Sequence, residues 1–193
     1  MEKIITPTGI KAIIISNKKS GELPDFLSEK EVDKVRKFHS SIKGYKATPL
    51  ISLENLAKGL GVSKIFVKDE SYRFGLNAFK GVGATYAIAR VICEKLGVHI
   101  DDVSFDYFKS PEVSEKIKDM VFVTATDGNH GRAVAWAATQ LGCKSIVYMP
   151  KGSSLIRLQH IKDAGAEAYI TDVNYDDDVR LANKKAEEIG GYC

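Results

Sequence analysis

Two short stretches of this 193-residue chain place reactive side chains where a helix should begin. In the first, Phe74-Gly-Leu-Asn-Ala-Phe-Lys80-Gly-Val-Gly-Ala-Thr-Tyr-Ala-Ile-Ala89, Lys80 is the single charge in a run that is otherwise apolar, small or neutral polar. A helix N-terminus and an apolar neighbour such as Phe79 both favour a neutral amine, the form that makes imines with carbonyl compounds. Gly81 and Gly83 each cost a helix roughly 1 kcal/mol against alanine, which suggests that something flat or bulky approaches the backbone there. The plain alternative is a solvated lysine beside two packing glycines.

The second stretch, Thr124-Ala-Thr-Asp-Gly-Asn-His-Gly-Arg132, follows an apolar run and opens a helix. A turn containing Gly128 and Gly131 exposes backbone amides at a helix N-terminus, and such amides bind a carboxylate or phosphate without a positive side chain. Asp127, Asn129 and His130 add a potential acid or base, a neutral amide and a titratable ring. The competing reading is that Asp127 or Asn129 merely caps the helix. A lysine at one helix start and an anion-binding turn at another can form two sides of one pocket.

The elements that must position these residues follow from periodicity and punctuation. Ala12–Ile15 is a strand candidate ending in the turn-prone Ser16-Asn17. Ser28 with Glu31 forms a capping box for a charged, surface-lying helix through Ile42. Ser52 is expected to cap a short helix ending at Gly59 or Gly61. From residue 63 the elements alternate: a buried strand at 65–67, a helix from Asn77 to Leu96 closed by Gly97, then strands at Val121–Ala125, Ser145–Met149 and Ala168–Ile170. The helices between and after them run over 129–141, 153–164 and 176–189. Val82, Tyr86, Ala89, Cys93 and Leu96 are the expected inward stripe of the first of these helices. Residues 97–120, polar and acidic around a Ser110-Pro111 helix start, read as an inserted helical excursion. Such alternation specifies an α/β fold, a parallel sheet flanked by helices, because right-handed crossovers bring successive strands side by side.

Composition excludes more than it assigns. A net charge of +3 gives no case for nucleic acid or a membrane surface, and no apolar run approaches the ~20 residues of a membrane helix. Three scattered cysteines, Cys93, Cys143 and Cys193, make neither a disulfide framework nor a metal site. With no apolar signal segment in Met1–Pro7, a reducing cytoplasm is expected. No G-x-G-x-x-G follows a strand, which argues against a dinucleotide site. Lys151-Gly-Ser-Ser154 resembles a phosphate loop but stands where a helix cap is expected.

The Asn77-Ala-Phe-Lys80 segment and Thr126-Asp-Gly-Asn-His-Gly131 resemble the fold type II pyridoxal phosphate enzymes, the tryptophan synthase β-subunit class. Ser71 to Lys80, Gly128 to Trp136 and Asn174 to Arg180 are similar, within that class, to the diaminopropionate ammonia-lyases. The resemblance implies that Lys80 forms the imine with the cofactor aldehyde and that Asn129 hydrogen-bonds the ring hydroxyl. It also implies that the amides of the Thr126, Gly128 and His130 turn hold the carboxylate of a small amino-acid substrate. Asp127 stands where serine and threonine dehydratases of the class commonly have serine. A carboxylate there suits removal of an α-proton from a diamino acid and attracts its second ammonium. The implied reaction is α,β-elimination of 2,3-diaminopropionate to pyruvate and ammonia.

The same resemblance implies a part of the large domain over residues 1–80, the small α/β domain over 81–193, and a remainder that supplies the phosphate loop and the residue facing the ring nitrogen. On this reading the chain is the N-terminal half of an enzyme that is a homodimer when intact, with little activity expected from the half alone. A threonine or serine dehydratase, which would not need Asp127, and a non-catalytic α/β fragment acting by association are the alternatives.

Overall fold

The computed structural model describes the backbone of residues 2–5 and 11–14 and the whole of residues 24–193. Strands β1 (Glu2–Ile5) and β2 (Lys11–Ile14) pair antiparallel. The second is the strand expected at 12–15; Ile15, Ser16 and Asn17 lie outside the described residues. By contact the chain divides into two units, residues 1–33 and 34–193.

Helix α1 (Glu29–Ser40) begins as expected, with the Glu31 amide donating to Ser28 Oγ at 3.4 Å. Its charged face accounts for only part of it. Phe38 and His39, in its last turn, are buried. Next, β3 (Leu50–Ser52) and β4 (Phe66–Lys68) form a separate antiparallel pair, with α2 (Glu54–Leu60) between them. Ser52 is in β3 and does not cap α2, whose N-cap is Leu53; Gly61, left-handed at φ 69°, closes the helix. The buried strand expected at 65–67 is β4, and it is exposed: Phe66 and Val67 are 55% and 42% accessible. An apolar run alone reports that a segment can be covered, and among the described residues β4 pairs only with β3.

Helices α3 (Lys80–Leu96) and α4 (Pro111–Ile117) precede the parallel sheet, and α5 (Asn129–Gln140) follows its first strand. That sheet has strands β5 (Val121–Ala125), β6 (Lys144–Met149) and β7 (Glu167–Ile170) in consecutive order. The crossovers are α5 and α6 (Leu155–Asp163), and α7 (Tyr175–Ile189) follows β7. Both faces are covered. Val147 and Met149 pack with Ala135 and Ile161 of α5 and α6, while Val123 and Ala125 pack with Ala182 and Ala186 of α7. Tyr192 pairs parallel with Phe122 on the other edge of β5 and stacks on its ring at 5.4 Å.

The largest apolar cluster lies where α3 meets α5. The inward stripe of α3 is shifted from expectation: Ala84, Ile88, Ala89, Ile92 and Cys93 are buried, whereas Val82, Tyr86 and Leu96 are half-buried. Residues 97–120 are no excursion. Phe105 and Phe108, each 1% exposed, meet Phe38 edge-on at 6.2 and 6.4 Å and complete the core. Each such ring contributes about 1.5–3 kcal/mol by burial, which outweighs the local polarity that made the segment read as peripheral.

Candidate active site

In an open α/β sheet the strands end where the following helices begin, so helix N-termini collect outside the carboxyl edge. Here the first turns of α5, α6 and α7 meet the start of α3 around a cavity of about 720 Å³. Lys80, Thr126, Asp127, Asn129 and His130 all line it, so the two stretches singled out by sequence are brought together. Gly128 belongs to the same turn as the N-cap of α5.

Lys80 is the first residue of α3, with Phe79 as its N-cap. The apolar enclosure expected around it is not supplied by Phe79, which is itself 63% exposed; Lys80 Nζ lies 5.6 Å from that ring's centre. Among the described residues Lys80 has no ion pair or hydrogen-bond partner for its amine. What approaches the glycines is also different from expectation. A Cβ on Gly81 would sit 2.8 Å from Leu76 Cδ1 and 3.2 Å from Phe74 Cδ2, so Gly81 makes room for the chain's own loop, whereas Gly83 faces open space.

The turn after β5 is capped by neither Asp127 nor Asn129. Thr126, buried at 2%, turns its hydroxyl under the helix and accepts from the amides of Gly128 at 2.9 Å and Gly131 at 3.0 Å. Its own amide continues the ladder to Tyr148 O at 2.9 Å. With Thr126 Oγ1 taking the Gly128 and Gly131 amides, the side chains of Asp127, Asn129 and His130 are left without hydrogen bonds among the described residues, and so are the three backbone amides of those residues. The Thr126 and Gly128 amides are committed internally. Unpaired amides at a helix start form a cradle for an anion.

Two further residues line the cavity that sequence reasoning did not single out, Arg157 and Tyr175. Arg157 Nη1 donates to Asp127 O at 3.0 Å and so braces the turn from α6. Both residues sit at helix starts after parallel strands, so a systematic look at the residues following each strand would have found them. Partial desolvation and the ammonium of Lys80 hold the His130 imidazole below the usual histidine range, leaving the ring neutral at pH 7. The site therefore presents an amine, a carboxylate, a neutral ring and an amide, together with unpaired backbone donors.

The sequence pattern of the family described as pyridoxal-phosphate dependent enzyme matches residues 42–193. The diaminopropionate ammonia-lyase of Salmonella typhimurium is 58% identical over 153 residues, which is 79% of this chain and 38% of that protein. The diaminopropionate ammonia-lyase of Escherichia coli K12 is 50% identical over 171 residues, 89% of this chain and 42% of that one. The crystal structure of the selenomethionine-substituted holo form of the Escherichia coli enzyme superposes with a TM-score of 0.83 at 48% identity, covering 90% of this chain and 43% of its own. The chain thus spans well under half the length of these relatives. The family pattern covers most of the chain and the fold agrees with it, so the chain belongs to the family of pyridoxal-phosphate dependent enzymes.

Proposed function

We propose that this chain carries the cofactor-holding lysine and the substrate-carboxylate turn of a pyridoxal phosphate-dependent ammonia-lyase that eliminates ammonia from 2,3-diaminopropionate. One observation carries the reading. Lys80, Asp127, Asn129 and His130 share a single cavity, and none of their side chains is engaged elsewhere among the described residues. Identities of 58% and 50% to diaminopropionate ammonia-lyases support the substrate. The donor set fits pyridoxal phosphate: a free primary amine for its aldehyde, a neutral amide for its ring hydroxyl, and space of about 720 Å³.

When bound, the cofactor supplies the electron sink for a carbanion at the substrate α-carbon. Lys80 Nζ would hold it, and Asn129 would orient its ring through the hydroxyl. The free amides of Asp127, Asn129 and His130 would hold the substrate carboxylate, while Thr126 Oγ1, occupied by Gly128 and Gly131, keeps the turn in shape. The Asp127 carboxylate would take the α-proton and attract the second ammonium of the substrate. Neutral His130 adds no positive charge beside Lys80 at pH 7. With one water consumed, the net products are pyruvate and two ammonia. Residues 1–80 and 81–193 are assigned to the large and small domains, and the intact enzyme to a cytoplasmic homodimer. Three unpaired cysteines, two of them buried, support the reducing compartment; light scattering on the intact enzyme tests the dimer.

The central test uses the chain itself. Pyridoxal phosphate is added, borohydride fixes any covalent attachment, and peptide mass spectrometry locates it. Attachment at Lys80, absent in Lys80→Met, is the expected result. Attachment only at other lysines would overturn the assignment.

A further inference from the structure

We propose that Arg132 and Trp136 are positioning residues: from one face of α5 they clamp the loop 73–79 and so fix Lys80 relative to the Asp127–His130 turn at the start of the same helix. Its bearing on catalysis rests on the reading of Lys80 as the cofactor-holding amine.

The loop ahead of Lys80 does not hold its shape by local preference. Phe74 and Asn77 sit at φ 52° and 53°, in the left-handed region, which asparagine tolerates and an aromatic side chain avoids. Such a segment relaxes unless its surroundings hold it. Arg132 Nη1 donates to Leu76 O at 3.1 Å. The Phe74 ring stacks on Trp136 with centroids 4.6 Å apart and planes at 21°. Arg132 and Trp136 are four residues apart, hence on one face of α5. The held residues pass the constraint on: Leu76 is buried, and it and Phe74 close on Gly81, the residue after Lys80.

Other contacts also fix this region, but they lead elsewhere. Buried Arg73 bonds Glu70 Oε2 at 2.9 Å and Lys46 O at 2.9 Å, and His39 Nε2 bonds Val82 O at 2.8 Å. Neither contact reaches the helix that begins at Asn129. Through the Arg132 hydrogen bond and the Trp136 ring stack, α5 holds the loop carrying the amine while presenting the turn at its own N-terminus. Reacting groups misplaced by about 1 Å can lose on the order of a hundredfold in rate, so a short mechanical path between them has a clear use.

The test needs no cofactor. Lys80 is one of the two causes that lower His130, so the His130 titration, followed by NMR in the 1–193 chain, reports how close the ammonium lies. Lys80→Met sets the upper reference. Arg132→Gln and Trp136→Ala are expected to raise the His130 midpoint toward that reference, while Trp136→Phe, which keeps a ring to stack, stays at the wild-type value. The Trp136 arm alters no charge, which separates a shared shift from loss of the Arg132 cation. Burial, the larger cause of the lowered His130, is separated by repeating both arms in Lys80→Met. There a shift that reports displacement of Lys80 must vanish, and one that persists overturns the proposal. Trp136→Leu, also neutral, stands in if Trp136→Ala does not fold. A wild-type His130 midpoint in folded Arg132→Gln and Trp136 variants overturns the proposal, as does a Trp136→Phe shift equal to that of Trp136→Ala. Failure of the cofactor reading would show instead as unmodified Lys80 in the borohydride experiment, with the titration unaffected.

Discussion

Gly131→Ala probes the turn at its tightest point. A Cβ there would lie 2.7 Å from Val147 Cγ1 and 3.0 Å from Thr126 Cβ, and closer still to Thr126 Cγ2. Val147 is fully buried at the centre of the sheet, so the yielding partner is Thr126. Displacing Thr126 forfeits its two accepted hydrogen bonds, from Gly128 and Gly131. Overpacking costs about 1–3 kcal/mol, and two hydrogen bonds contribute about 0.5–1.5 kcal/mol each, for a combined loss of about 4 kcal/mol at mid-range. In a chain of this size about 1 kcal/mol corresponds to 2–4 °C in Tm, so the variant should melt about 8–16 °C below wild type. Thermal melts by circular dichroism measure this directly. Gly83→Ala is the matched control in α3, because nothing lies within 4 Å of its added Cβ. It should gain about 0.5–1 kcal/mol from helix propensity. A Gly131→Ala protein that melts with wild type would show that Thr126 does not hold the turn, and the account of free amides at Asp127, Asn129 and His130 would fall with it.

If Asp127 takes the α-proton as proposed, Asp127→Ala in the intact enzyme should reduce kcat by about 10²–10⁴-fold for one diaminopropionate isomer. Unchanged elimination from both isomers would remove Asp127 from that role and favour the dehydratase reading. Glu70 has a different signature. Its hydrogen bonds to Arg73 and Thr48 and the nearby cations, opposed by desolvation, hold it down to about 2. Because the folded value lies below the roughly 4.3 of an unfolded chain, its contribution is present above about pH 4.3 and disappears as pH falls toward 2. Glu70→Gln should therefore melt below wild type at pH 6, with the gap closing near pH 2. A gap of equal size at both pH values would contradict the ion-pair account.

Much of the fold was legible because local signals and tertiary demands coincided. Gly97, left-handed at φ 68°, ends α3 where the sequence places the stop, and the three parallel strands fall within one residue of their apolar runs. The misreadings share a cause, which is that polarity and apolarity report what a segment could do. The apolar run at 65–67 became the exposed β4, while the polar stretch 97–120 put Phe105 and Phe108 into the core. The stripe of α3 was misplaced for a related reason, since apolar residues of that helix point in most directions and the packing against α5 selects among them. At the site, Lys80, Asp127, Asn129 and His130 were found by residue type and position. Thr126, expected to offer an amide, instead caps the helix with its hydroxyl, a choice that depends on the path of the turn.

By itself the sequence determined that Lys80 and the Asp127–His130 turn lie near helix starts, because caps, glycines and apolar period act over a few residues of chain. The start expected at Asn77 falls three residues later, at Lys80, because Asn77 is left-handed at φ 53°. Only the tertiary structure decided that these two starts open on one cavity, that Arg157 and Tyr175 join them, and that Arg132 and Trp136 bridge α5 to the loop before Lys80. Those relations join residues distant in sequence. They arise from side-chain packing across α3, α5 and the sheet, which no local pattern encodes.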